Sequence, residues 1–249
     1  MKVNILASGS NGNCIALTSG ESTILIDAGI AKTKIEKKLL EVGITPNKIE
    51  AMFITHAHKD HTKGLPLANK YKIPVFAGED EWKSITGVDE ELQNKAPAVF
   101  NNGMEYTWEV KAFKTHHDAY DPRGYVVYDL QEVIRCSICL DTGKVEQDMI
   151  EAMKDSDIYI IESNHEPRMV EASNYPISVK TRVLSHVGHL SNQQTAAALA
   201  ELIQGKGEQI YLTHLSSSNN MAMLAQMTTE KALMAKGFIK DKHYRLEVV

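Results

Sequence analysis

The sequence is short of cysteine, has no excess of positive charge and contains no long apolar run. Three cysteines, Cys14, Cys136 and Cys139, cannot build a disulfide framework. No stretch approaches the roughly 18–20 consecutive apolar residues that cross a bilayer, so no membrane partner is expected. The opening Met1–Ser10 carries one lysine and a short apolar stretch broken by Asn4. That is too little for a secretory signal, and a cytoplasmic protein is expected. Lys and Arg total 27 against 32 Asp and Glu, a formal charge of −5. Bulk charge therefore does not suggest a simple basic nucleic-acid binder. Linkers, low-complexity tracts and convincing internal repeats are missing too. With 43% hydrophobic and 24% charged residues among 249, the composition excludes a disordered or fibrous chain.

Cys136 and Cys139 form a CxxC, but Glu132–Leu140 reads as a buried strand. Residues three apart on a strand point to opposite faces. No second CxxC completes a four-thiolate zinc site. The pair is expected to be core.

What the chain does have is histidine, ten in all, the commonest metal ligand and the usual proton carrier near neutral pH. Short β-type runs at Lys2–Ala7, Cys14–Thr18 and Ser22–Asp27 are separated by Gly, Ser and Asn turns. Ala31–Val42 has the apolar spacing of an amphipathic helix, with Gly43 as its C-cap. Ala51–Thr55 is a strand, followed by a helix through Lys70, a strand at Pro74–Ala77 and a short helix at Glu79–Thr86. Strands are expected at Thr107–Thr115, Gly124–Leu130 and Glu132–Leu140, and a helix at Val145–Lys154. Ile158–Glu162, Glu208–Thr213 and His243–Val248 read as strands, and Ser191–Gln204 and Met221–Lys236 as helices. The Met221, Met223, Leu224 and Met227 spacing suggests core or interface packing. Two halves, each a sheet covered by helices, give an α/β (α+β) fold class, a four-layer αββα sandwich, as one domain over residues 1–249.

The sharpest motif is Thr55-His56-Ala57-His58-Lys59-Asp60-His61, directly after an apolar strand. His56 and His58 lie two apart on extended chain and point the same way. Asp60 and His61 sit where the chain turns into a helix. Four donors in six residues are too dense for one mononuclear site with an open position, and suit two metal ions about 3.5–4 Å apart. Further candidates also follow strands: His117 in Thr115-His116-His117-Asp118, Asp141 in Leu140-Asp141-Thr142-Gly143, and His214 in Thr213-His214-Leu215-Ser216.

This order and spacing resembles the metallo-β-lactamase superfamily over essentially the whole chain. The resemblance implies one metal held by His56, His58 and His117 and another by Asp60, His61 and His214, with Asp141 bridging. Asp27 matches the superfamily's early Asp, which supports the site from behind the ligands. His116 adjoins His117 and is an alternative ligand, but the His-Asp-Ala order favours His117. Five imidazoles with two carboxylates suit Mn, Zn or Fe, two divalent ions per chain.

Gly188-His189-Leu190-Ser191-Asn192-Gln193-Gln194 resembles a run in tRNA-processing ribonuclease Z, where a His paired with a Glu protonates the leaving oxygen. The match gives His189 that role and Glu162 the partner's. Phosphodiester cleavage expels a poor leaving group, so a positioned proton donor is needed. Together with Ala7–Asn13, Asp121-Pro122, Glu162-Ser163-Asn164-His165 and His214-Leu215-Ser216, the set is similar to the YycJ/WalJ (VicX) family. That family's membership implies a metal-dependent 5′→3′ exonuclease acting on DNA more than on RNA. The stretch between Asp141 and His214 leaves no room for the inserted domain of β-CASP nucleases. The stretch between His117 and Asp141 likewise leaves none for a tRNA-binding arm. A small-molecule metallohydrolase, such as a cyclic phosphodiesterase, lactonase or thioesterase, is the alternative that the ligands alone allow. Ser8, Asn11 and Asn13 on the first loop, and Lys180 and Arg182 before His189, are candidate substrate contacts. Two divalent ions would outweigh Asp60 and Asp141, so a locally positive pocket on an acidic protein is expected.

Overall fold

The computed structural model describes residues 1–96, 100–101 and 108–249. In chain order the strands are β1 Lys2–Ala7, β2 Cys14–Ser19, β3 Ser22–Ile26, β4 Ile49–Phe53, β5 Val75–Ala77, β6 Gln93–Lys95, β7 Phe100–Asn101, β8 Trp108–Lys114, β9 Arg123–Asp129, β10 Ile134–Cys139, β11 Ile158–Glu162, β12 Glu208–Thr213 and β13 Tyr244–Val248. The α-helices are α1 Lys32–Glu41, α2 Lys59–Thr62, α3 Pro66–Tyr71, α4 Gln147–Met153, α5 Pro167–Ala172, α6 Ile177–Val183, α7 Asn192–Leu202 and α8 Ala222–Ala235. The chain divides into two compact units, one of Met1–Ala112 with Ala119–Ile134, the other of Phe113–Asp118 with Arg135–Val249.

The first unit is built on a six-stranded sheet in the order β1 to β6. β1, β2 and β3 form an antiparallel meander, with Ile5 opposite Ile15 and Ile15 opposite Ile26. From β3 onward each neighbour is parallel, so the crossovers carry the helices. α1 buries Ile35 and Leu39 and leaves its lysines in water. It ends where Gly43 adopts φ +80°. There the Ile44 N–H reaches back to Leu39 O and the Gly43 N–H to Leu40 O, which satisfies the last free carbonyls. Leu25, Met52, Ile54, Ile35 and Leu39 share one core.

The second unit carries the parallel run β10, β11, β12, β13. A parallel strand covered on both faces has no polar side, and every residue of β11 is buried. α7 packs against α4 and α8, with Leu199, Leu202 and Leu233 in the core beside Tyr159, Ile161 and Leu212. Ser191 caps α7: its hydroxyl accepts from the Gln194 N–H while the Gln194 side chain accepts from the Ser191 N–H.

Several sequence expectations change in detail. The helix expected to run through Lys70 is two short helices, because Gly64 leaves no room for a Cβ beside Ile30 O and Pro66 starts α3 afresh. Glu79–Lys83 is a 3₁₀ turn. α5 and α6 were not expected; α6 buries no residue, so its sequence has no apolar stripe to read. Met221, Met223 and Met227 are exposed, not core, since α8 turns Ala225, Thr229 and Leu233 inward. Cys136 and Cys139 are buried free thiols on β10, held well above the ordinary thiol range by burial. Thr107, the expected start of β8, lies outside the described residues. Among the described residues no helix is long and apolar enough to cross a membrane.

Candidate metal centre

Three of the residues singled out from sequence sit just past the ends of strands in left-handed backbone: Asp27 (φ 60°) after β3, Asp141 (φ 47°) after β10 and His214 (φ 54°) after β12. Such a conformation costs a non-glycine residue of order 1–3 kcal/mol and persists where the surroundings demand it. Here it turns each side chain out of its strand's alternation at the carboxyl end of that strand.

In the first unit, Asp27 is fully buried. Its Oδ1 accepts from the Thr55 N–H at 2.8 Å, and its Oδ2 accepts from His61 Nδ1 at 2.7 Å. The Thr55 hydroxyl donates to the same carboxylate at 3.0 Å. That leaves the hydroxyl oxygen to accept from the ring nitrogens beside it, His56 Nδ1 at 3.1 Å and His61 Nδ1 at 3.0 Å. One aspartate and one threonine thereby hold the Nδ1 protons of two histidines, so each Nε2 carries a lone pair and not a proton, the form that ligates a metal. The rings of His56 and His61 lie 4.1 Å apart and those of His56 and His58 4.5 Å apart. Asp60 Oδ2 lies 3.6 Å from His61 Nε2, near enough for one ion to take both.

The loop between His56 and His58 has its own support. Glu81, fully buried, accepts the Ala57 N–H at 2.7 Å with Oε2 and the Asp121 N–H with Oε1.

In the second unit, His117 is buried and its Nδ1–H donates to Gly188 O at 3.0 Å, while its Nε2 faces Asp118 Oδ1 at 3.1 Å. Burial pushes its pKa down, which favours the neutral, ligating form. His116 is more exposed and pairs with Glu146 at 2.9 Å. These surroundings suit His117 better than His116 as a ligand. Asp141 Oδ1 lies 3.1 Å from His214 Nδ1, and Asp141 Oδ2 3.6 Å from His117 Nε2. Asn164 donates to His214 O at 2.9 Å.

Glu162 and His189 stand as a pair. Glu162 Oε1 accepts the Thr142 and Leu190 N–H groups at 2.6 and 3.3 Å, and Oε2 takes His189 Nδ1 at 3.0 Å. Burial opposes the charge on both. The charge and hydrogen bond of each on the other more than offset that, so Glu162 falls below its ordinary pKa and His189 rises above its own. Glu162 is sealed from solvent while the His189 side chain keeps 12% exposure. That asymmetry suits a proton donor backed by a fixed anion. Asp141, Glu162, His189 and His214 each put one donor atom within 4.8 Å of the others. Glu162, however, is already committed to three N–H groups.

The candidate substrate contacts differ in their surroundings. Asn13 is buried, its Nδ2 3.1 Å from His61 Nε2 and its Oδ1 accepting the Gly9 N–H. Asn11 is exposed and Ser8 half-buried. Lys180 donates to Glu171 O, and Arg182 pairs with Asp118 at 2.6 Å. Sequence reasoning missed Thr55, Asn164 and Glu81. The first two lie inside motifs already singled out. Glu81 carries no signal beyond being a glutamate.

Residues 22–215 match the β-lactamase superfamily domain. The chain is 35% identical over 239 residues to exodeoxyribonuclease YycJ of Bacillus anthracis, covering 94% of this chain and 90% of that one. It is 34% identical over 234 residues to exodeoxyribonuclease WalJ of Streptococcus pneumoniae, covering 91% and 86%. The metallo-β-lactamase fold protein YhfI of Bacillus subtilis superposes with a TM-score of 0.72 at 15% identity, covering 99% of this chain and 95% of that one.

Proposed function

The chain belongs to the metallo-β-lactamase superfamily and, within it, to the family of the exodeoxyribonucleases YycJ and WalJ, and from that premise we propose that it is a DNA exonuclease working 5′→3′. The observation that carries this reading beyond the family is the buried Glu162 held against His189. A hydrolase that expels a stable leaving group has little use for a charged imidazole kept in place. Phosphodiester cleavage has, because the departing alkoxide must be protonated.

The donor set fits divalent ions, since five histidines and two carboxylates are present and His56, His61 and His117 have their Nδ1 atoms engaged. His56, His58 and His117 would hold one ion, Asp60, His61 and His214 the other, and Asp141 would serve both. Two ions, Mn or Zn with Fe as a further option, would activate water and neutralise phosphoryl charge. Asp27 and Thr55 keep His61 and His56 in ligating form, and Gly188 does so for His117. Glu162 orients His189, whose other nitrogen gives its proton to the leaving oxygen. Ser8 and Asn11 on the first loop, and Lys180 and Arg182 on α6, would contact the DNA backbone. The protein acts in the cytoplasm.

The test is to incubate the metal-loaded protein with end-labelled duplex DNA, single-stranded DNA and RNA, alongside Asp60→Ala. Stepwise nucleotide release from the 5′ end, lost in the variant, is expected. Hydrolysis of a small ester without cleavage of any polymer would overturn the reading in favour of a small-molecule metallohydrolase.

A further inference from the structure

Tyr120 presents an aromatic ring to water where the fold could have hidden it. Its residue is 65% exposed, and among the described residues no other aromatic is more than half exposed. Exposed rings are common at mobile sites, but the backbone just after this one is held. The next N–H, that of Asp121, is taken by the buried Glu81. The Asp121 carboxylate pairs with Arg123 at 2.7 Å, and the Arg123 N–H donates to Thr55 O at 2.8 Å. Opposite, Gly78 is packed so closely that a Cβ there would lie 2.2 Å from Asp121 O. An outward aromatic on a held backbone, with only two side-chain torsions to order, offers contact area at little entropic cost.

Its location is equally specific. The other oxygen of Glu81 holds the Ala57 N–H, between His56 and His58. Within the first unit, Tyr120's loop therefore lies one carboxylate's width from the loop expected to carry metal. Lys83, two residues beyond Glu81 and paired with Asp80 at 2.7 Å, places its ammonium over the Tyr120 ring, 5.8 Å from the centroid.

We propose that Tyr120 is a stacking platform for a nucleobase at the end of a single-stranded nucleic acid, the base taking the ring face opposite the Lys83 ammonium. The site rests on the nuclease reading above and adds where the strand is gripped. Every base has a π-face, so stacking tolerates any sequence, as an exonuclease that must accept each nucleotide in turn requires. A net charge of −5 also leaves little general phosphate attraction to hold the strand. An aromatic grip supplies affinity that bulk charge does not. A protein partner would need apolar surroundings, whereas the Lys83 ammonium, paired with Asp80, lies over this ring, and the next residue in the chain is the charged Asp121.

The test is a cycle between Tyr120→Ala and oligonucleotides carrying one abasic position, scanned along the first few nucleotides. Steady-state kinetics are read beside equilibrium binding of 2-aminopurine-labelled strands. On the intact strand Tyr120→Ala should raise KM by roughly 5- to 100-fold, the usual weight of one stacked base, with a much smaller change in kcat. Tyr120→Phe should recover most of the loss. At one abasic position the wild type should weaken to the variant's level and the variant should lose nothing more. Cleavage by the wild type with equal KM for Tyr120→Ala at every position overturns the stacking site alone. If the wild type neither binds nor cleaves nucleic acid, the nuclease reading fails first and the site falls with it.

Discussion

Replacing Asp27 with asparagine tests how this protein prepares its ligands before any metal arrives. Asn tolerates the left-handed φ of 60° nearly as well as Asp does, so the backbone should stay. The change lies in hydrogen. Asp27 accepts from both the Thr55 N–H at 2.8 Å and His61 Nδ1 at 2.7 Å. An amide has one oxygen and one NH₂. If the oxygen keeps Thr55, the NH₂ faces the His61 Nδ1–H, and two buried donors meet at a cost of about 1–3 kcal/mol. His61 escapes by moving its proton to Nε2, the atom 3.6 Å from Asp60 Oδ2. Its lone pair is then spent, and the ion there loses a ligand. Loss of such a supporting partner typically weakens metal binding about 10- to 100-fold. The assay is competition of wild type and Asp27→Asn against a chromophoric chelator, with metal content by mass spectrometry and chelated-state thermal melts as the folding control. Equal affinity in a variant of equal stability would refute the argument that the carboxylate sets His61's tautomer.

Other outcomes follow from the same structure. His189→Ala should lower kcat on DNA by roughly 10²- to 10⁴-fold while metal content stays at the wild-type level; lost metal would make His189 a ligand instead. His165 is buried, and burial pushes its pKa down to about 4. The unfolded chain then binds a proton that the folded one refuses. Stability should be fully present above about pH 6.5 and fall as pH drops toward 4. His165→Gln should flatten that part of a urea-midpoint against pH profile, and an unchanged slope would show that His165 does not carry it.

Much of the site was legible because its chemistry dictates residue types at fixed places. His56, His58, Asp60 and His61 follow an apolar strand, and a buried strand end has little reason to carry four such donors unless they bind something. Asp141 and His214 announced themselves the same way. The Glu162–His189 pair was readable only through the resemblance, since twenty-seven positions separate them and no periodicity links them. Glu81 was invisible: its role lies in two backbone N–H groups brought together by the fold. α6 escaped because a helix that buries nothing has no pattern to display. The helix after His61 was read as continuous because the helical pattern was followed past Gly64 and Pro66. Met221, Met223 and Met227 show the converse. Their spacing was helical, but which stripe faces the core was decided by α7 on the other side.

The left-handed backbone at Asp27, Asp141 and His214 changes what a mutant screen can report. An alanine at any of the three removes a candidate ligand or supporting side chain and also leaves a Cβ-bearing residue in a conformation that it disfavours. The measured defect would then mix lost chemistry with a loosened strand end. Asparagine and glycine both accept that conformation and so remove the chemistry without the backbone cost, and the difference between alanine and glycine reports the backbone. Asp60, on α2 and outside the left-handed region, is free of this confusion. It is the position where a simple alanine knockout can be taken at face value.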